Sequence, residues 1–126
     1  MNVQELQKRL REFAQARDWE QFHSPKNLAT ALAVEAAELL EPFQWMREEE
    51  SRRLAEHPQD YARVREEIAD VQIYLLRLAD QLQIDLAEAV EQKLARNAEK
   101  YPVHLSKGTS LKYDRLPAQP LPEPDA

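Results

Sequence analysis

Between Tyr61 and Leu82, seven apolar residues (Tyr61, Val64, Ile68, Val71, Leu75, Leu78 and Leu82) follow one another at alternating steps of three and four. A repeat averaging 3.5 residues over three heptads keeps one stripe of an α-helix apolar, and that stripe needs a helical neighbour to cover it. The other turns of the chain point the same way. Only one glycine, Gly108, stands among 126 residues, whereas a sheet protein with tight hairpins needs more Gly and Asn at its turns. The length fits one domain with a modest core. The fold class expected is all-α.

The flanking segments supply the partners. A first helix is expected over roughly Asn2–Arg17, where Val3, Leu6, Leu10 and Phe13 recur at helical steps. Asp18 to His23 has no helical period, and Ser24-Pro25 then reads as an N-cap followed by proline at the first helical position. The second helix runs from Pro25 to about Trp45, with a kink or end near Pro42, which lacks an N–H to donate. It is apolar on most sides (Leu28, Leu32, Val34, Leu39, Leu40 and Phe43 among others), as a central buried helix would be. Met46 to His57 is polar and reads as a short exposed helix or loop closed by Pro58. After the third helix, Asp85 and Glu88 resemble a capping box for a fourth, Leu86 to Lys100, which Tyr101-Pro102 ends.

These short connections predict a mostly antiparallel bundle of four to five helices over residues 1–104. Residues 105–126 read as an extended, proline-rich, flexible tail. One copy offers too little surface to cover the second and third helices, so a homo-oligomer is expected.

Composition narrows the function. Asp and Glu outnumber Lys and Arg by 23 to 17, and no basic block offers a footprint for nucleic acid. The absence of cysteine removes disulfides, thiol catalysis and zinc–thiolate sites. Met1 to Arg11 is charged and amphipathic, with no apolar run fit for a signal peptide or membrane span. A cytoplasmic protein with no membrane partner is expected.

The chemistry lies in two pairs of acids. On a helical wheel Glu35 falls inside the apolar face of the second helix and Glu38 at its edge. On the third helix Glu67 flanks the seam, with Asp70 and Tyr74 beside it, while Glu66 points to solvent. Residues three apart share a helix face, so each helix presents two carboxylates together. Such pairs are usually solvated surface. These fall on apolar or seam-flanking positions, where a lone carboxylate is costly. Four acids converging would repel one another unless a cation sat among them, and oxygen-only ligands suit Mg²⁺ or Mn²⁺. A di-iron bundle would want Glu-x-x-His, and His23, His57 and His104 occupy no such spacing.

Glu35-x-x-Glu38, with Glu67-x-x-Asp70 following after 28 intervening residues, resembles the signature of the all-α, MazG-like nucleotide pyrophosphohydrolases. Arg17-Asp18-Trp19, Phe22-His23, Pro25, Asn27-Leu28, Phe43-Gln44-Trp45 and Ile73-Tyr74-Leu75 sharpen the likeness towards the dCTP pyrophosphatase branch, as do Lys93, Asn97 and Tyr101-Pro102. The likeness covers residues 3 to 104, but not the polar stretch Glu48–His57.

The resemblance implies hydrolysis of a nucleoside triphosphate, dCTP or a related pyrimidine, to monophosphate and pyrophosphate, as in sanitation of the nucleotide pool. It implies Mg²⁺, with Mn²⁺ as a substitute, on Glu35, Glu38, Glu67 and Asp70, and Glu35 or Glu38 polarising the attacking water. It assigns the base pocket to Trp19, Phe22, His23, Trp45 and Tyr74. Phosphate and sugar contacts fall to Lys93, Asn97 and Tyr101, helped by Lys100 or Arg96. It also implies a tetramer built as a dimer of dimers. The same reaction on dUTP or a damaged nucleotide, and a non-catalytic helical oligomerisation module, are the alternatives.

Overall fold

Helix starts are written into the chain as side-chain caps. Asn2 Oδ1 accepts from the Glu5 N–H at 3.0 Å and opens α1, Val3–Ala16. Ser24 Oγ accepts from the Asn27 N–H at 3.2 Å, with Pro25 behind it, and opens α2, Pro25–Leu40. A computed structural model, which describes residues 1–117, continues with α3, Glu48–Arg52, and α4, Pro58–Gln81. Then come α5, Leu86–Lys100, and α6, Val103–Ser106. No strand occurs among the described residues, and no helix there is long and apolar enough to cross a membrane.

Two expectations about boundaries are corrected. The second helix ends at Leu40, not near Trp45, and passes into a 3₁₀ turn at Glu41–Phe43, where Pro42 cannot sustain the α-helical bond pattern. Pro58 is the first residue of α4, more than the end of the polar stretch. That stretch holds α3 and a 3₁₀ turn, Leu54–Glu56.

With so little glycine, helix ends make do with other residues. Asp18 (φ 52°) follows α1 and Gln83 (φ 55°) follows α4, both in the left-handed region. Behind each, a bond spans five residues: the Trp19 N–H donates to the Ala14 carbonyl and the Ile84 N–H to that of Ala79, both at 2.9 Å. This closure normally uses glycine, since a Cβ is strained there. Gln83→Gly is therefore expected to raise stability by about 0.5–1 kcal/mol, read as a rise in the urea midpoint at unchanged slope. A lowered midpoint would show that the Gln83 side chain contributes more than its backbone strain costs.

The chain divides into two compact units, the first ending at Leu86 and the second starting at Ala87. In the first, α4 packs against both α1 and α2. Gln7 Nε2 donates to the Leu76 carbonyl at 3.1 Å, and Arg11 pairs with Asp80 at 2.8 Å, so residue numbers rise together and α1 runs parallel to α4. Glu35 meets Glu67 and Glu41 bonds Arg63, so α2 runs antiparallel to α4. The core of the described residues is Ala14, Leu28, Val64, Leu76 and Ala79, with Gln7 and Arg77 as buried polar members.

That packing leaves apolar surface of α4 and α2 uncovered in a single copy. The seam of α4 is not one covered stripe: Tyr61, Ile68 and Leu82 are about half exposed, while Leu76, Arg77 and Ala79 are buried. Serving two neighbours spreads burial around the helix. Nor is α2 buried in a single copy. Leu28 is its buried residue, while Val34 and Leu40 are 52% and 63% exposed. Apolar surface also lines a groove of about 880 Å³, walled by Met1, Leu6, Leu10 and Phe13 from the amino-terminal segment and by Ile68 and Ile73 from α4.

In the second unit, the Tyr101 ring meets Tyr113 edge-on, with centroids 6.4 Å apart, and Lys100 Nζ lies 4.8 Å from the Tyr113 ring centre. A 3₁₀ turn at Tyr113–Arg115 carries that ring. Residues 118–126, the rest of the expected tail, lie outside the described residues.

Candidate active site

Glu35 and Glu38 project from α2 one turn apart, and Glu67 faces them from α4. One oxygen of each lies within 4.8 Å of the others, and all three residues are partly buried. Asp70, one turn beyond Glu67, stands outside this triad but lines the adjoining cavity with Glu35.

The cluster is unsatisfied as it stands. Glu35 Oε2 and Glu67 Oε2 are both buried with no hydrogen-bond partner. Two ionised carboxylates can only accept, so neither relieves the other without a proton or a cation between them. Burial pushes the Glu35 carboxyl up to about 7, and the closeness of the Glu67, Glu38 and Asp70 carboxyls adds to it. Orphaned oxygen lone pairs with no nitrogen or sulfur in the group fit a hard divalent cation of the Mg²⁺ class. Glu35, Glu38 and Glu67 could hold it directly, with Asp70 alongside.

The cavity beside the cluster measures about 390 Å³, within the range of small-ligand pockets. Phe13, Trp19 and Tyr74 give it aromatic walls, Leu10 and Ile73 apolar ones, and His23 and Arg77 bring nitrogen. The 18–23 loop is tied down on both sides. Gln21 Nε2 donates to the Asp18 carbonyl and Asn27 Nδ2 to the Phe22 carbonyl, each at 3.0 Å. This holds Trp19 with its ring 5.8 Å from Phe13 and 6.4 Å from His23, edge-on to both.

Of the aromatic residues expected at the pocket, Trp19, His23 and Tyr74 line this cavity. Phe22 and Trp45 are not among its lining residues and are 58% and 88% exposed, because each sits in or just after a 3₁₀ turn with its ring outward. Lys93, Asn97 and Tyr101 belong to the second unit, where Lys93 is exposed and the Tyr101 N–H donates to the Asn97 carbonyl at 2.8 Å.

Arg77 escaped the sequence reading. Glu67, Asp70, Tyr74 and Arg77 continue one ladder of three- and four-residue steps, and that spacing was the available signal.

An oxygen-only acid cluster shared by two antiparallel helices, opening on an aromatic cavity, is compatible with divalent-metal binding beside a small-ligand pocket. Residues 30–116 match the MazG-like family. The dCTP pyrophosphatase 1 of Rattus norvegicus is 48% identical over 91% of this chain and 68% of its own length, and that of Homo sapiens is 44% identical over the same shares. A pyrophosphatase of Archaeoglobus fulgidus, solved as a crystal structure, is 47% identical with a TM-score of 0.71, covering 81% of this chain and 94% of that one. The chain belongs to the MazG-like family and is a hydrolase.

Proposed function

We propose that the chain hydrolyses a deoxynucleoside triphosphate, dCTP foremost, to the monophosphate and pyrophosphate. The carrying observation is the buried, unsatisfied Glu35–Glu67 pair beside a cavity of nucleoside size. The names of the 44–49% identical relatives point to the same substrate.

The charge of the site explains why a metal is needed. A triphosphate approaching Glu35, Glu38, Glu67 and Asp70 meets only like charge. Bound Mg²⁺, or Mn²⁺ in its place, would offset the charge of the triphosphate and of the departing pyrophosphate. The protein supplies the rest. Glu35, Glu38, Glu67 and Asp70 would hold the cation, and whichever of Glu35 and Glu38 is less engaged with it would polarise the attacking water. Trp19 and Tyr74 enclose the base and exclude solvent, and His23 meets its edge. Lys93, Asn97 and Tyr101 are assigned to phosphate and sugar on the resemblance.

We assign the hydrolase domain to residues 1–104 and place it in the cytoplasm as a tetramer. The uncovered apolar surface of α2 and of the α1–α4 groove supports assembly. Phe22 and Trp45, exposed in one copy, complete the base pocket where another copy closes over it.

The test is a panel of dNTPs and NTPs incubated with Mg²⁺ or with EDTA, with the products resolved. Monophosphate and pyrophosphate formed only with metal, and fastest from dCTP, are expected. A faster alternative nucleotide would keep the reaction and replace the substrate, and no turnover of any nucleotide would refute the reading. Glu38→Gln separates the two candidates for water activation. Retained turnover removes Glu38 from that role, while lost turnover with intact metal affinity assigns it.

A further inference from the structure

Arg77 is 2% exposed, among the most buried side chains described, and it lines the cavity. Its Nε and Nη1 have no hydrogen-bond partner. A buried guanidinium with idle donors weakens a fold relative to an apolar side chain of similar size, so stability does not explain it. Two contacts hold it in place. Asp80 Oδ2 lies 3.6 Å from Nη1 and is itself gripped by Arg11 Nε at 2.8 Å. On the other side Nη2 stands 3.2 Å from His23 Nδ1.

The polarity of that last contact is forced. A guanidinium keeps its protons and can only donate, so His23 Nδ1 must be the acceptor. A neutral imidazole accepting at Nδ1 carries its proton on Nε2. Among the described residues no group is hydrogen-bonded to Nε2, and the ring lines the cavity. Burial, and then the charge of Arg77, lower the pKa of His23 against an opposing effect of Glu20, which favours the neutral ring.

We infer that Arg77 is a positioning residue for base recognition: by donating to Nδ1 it holds His23 in the Nε2–H tautomer, so that the cavity offers a hydrogen-bond donor to the N3/O2 acceptor edge of cytosine. Thymine and uracil carry a hydrogen on N3, which would meet that donor head-on. The chain Arg11–Asp80–Arg77–His23 thus converts a charge network into a preference for one pyrimidine. The inference rests on the nucleotide-hydrolysing reading above, but the tautomer can be measured without substrate.

The experiment has two readouts on the full chain. In the substrate-free protein, histidine-selective ¹⁵N NMR near neutral pH is expected to show His23 unprotonated at Nδ1 and protonated at Nε2. The signal is assigned by its loss in His23→Phe, and Arg77→Met should shift it towards the other tautomer. In turnover, Arg77→Met is expected to cut the dCTP-to-dTTP ratio of kcat/KM by about tenfold, the size of one misplaced hydrogen bond. The change should sit in KM for dCTP, with part of the ratio restored in Arg77→Lys. His23→Phe should match Arg77→Met, and the double variant should lose no more than either alone. If Arg77→Met does not fold, Arg77→Lys and His23→Phe carry the comparison. A proton on Nδ1 in the unmodified protein overturns the inference, as does an unchanged substrate ratio in His23→Phe. A protein that turns over no nucleotide defeats the functional reading and the role at a base, while the NMR result still reports whether Arg77 sets the tautomer.

Discussion

Glu35→Gln lowers turnover by about 10³-fold or more, and the same substitution makes the metal-free protein more stable at pH 8. On the proposed function, the first effect follows from removing a charged oxygen that would hold the cation against a triphosphate. The second follows from linkage. The folded-state pKa of Glu35, about 7, lies above its ordinary value of 4.5. Stability tied to the protonated form is therefore complete below about 4.5 and lost as pH rises through about 7. Glutamine is neutral throughout and can donate an N–H to the orphaned Glu67 Oε2. At pH 8 in EDTA the variant should gain on the order of 1 kcal/mol, a value kept small because solvent screens part of the cluster, or a melting shift of roughly 4 °C. At pH 4.5 the two proteins should melt together. Excess Mg²⁺ should reverse the order at pH 8, since only the unmodified protein binds it well. Equal melting at both pH values in EDTA, or retained turnover, would remove Glu35 from the centre of the site.

If the chain assembles through the α1–α4 groove, as proposed, Ile68→Glu separates that assembly into smaller species. Ile68 is 54% exposed on the wall of the α1–α4 groove, with Arg9, Glu12 and Arg65 among the polar residues that line it. An apolar floor among polar residues is the anatomy of a protein interface. A charged carboxylate in place of the apolar side chain loses the buried contact and must be desolvated on association, at a cost on the order of a few kcal/mol even beside Arg65, which weakens association by about 10²- to 10³-fold. Light scattering at micromolar concentration reads the result directly. The unmodified protein should be larger than one chain and the variant smaller than the unmodified protein. An unchanged mass for the variant would move the interface to another apolar surface, such as the exposed side of α2 around Val34 and Leu40. A monomeric unmodified protein would refute assembly outright.

The sequence was most informative where physics is local. Asn2 and Ser24 cap helices where a side-chain oxygen precedes an apolar run, and Glu66 is exposed while Glu67 is partly buried because the helical period turns them to different faces. Pairing Glu35 with Glu38, and Glu67 with Asp70, needed only that residues three apart share a face. Distance across helices was not legible. The same spacing that made Asp70 equivalent to Glu67 could not show that Asp70 falls outside the tight triad. Nor could periodicity tell that α4 would have two neighbours and so leave Ile68 uncovered. Arg77 was hidden for a related reason. A single arginine in a charged helix reads as solvated surface, and its partners arrive from His23, 54 residues away, and from α1 through Asp80. The left-handed backbone at Asp18 was equally silent, since aspartate signals many kinds of turn.

Glu67 and Arg77 stand on one uninterrupted helix, ten residues apart. At a rise of 1.5 Å per residue that is roughly 15 Å along the axis, fixed by backbone geometry and free of any loop. α4 therefore acts as a ruler, fixing the distance between the acid cluster proposed to meet phosphate and the Arg77 latch on the histidine proposed to meet the base. A single residue inserted between them would turn Arg77 by about 100° relative to Glu67, away from His23, and break the latch while the acid cluster stays in place.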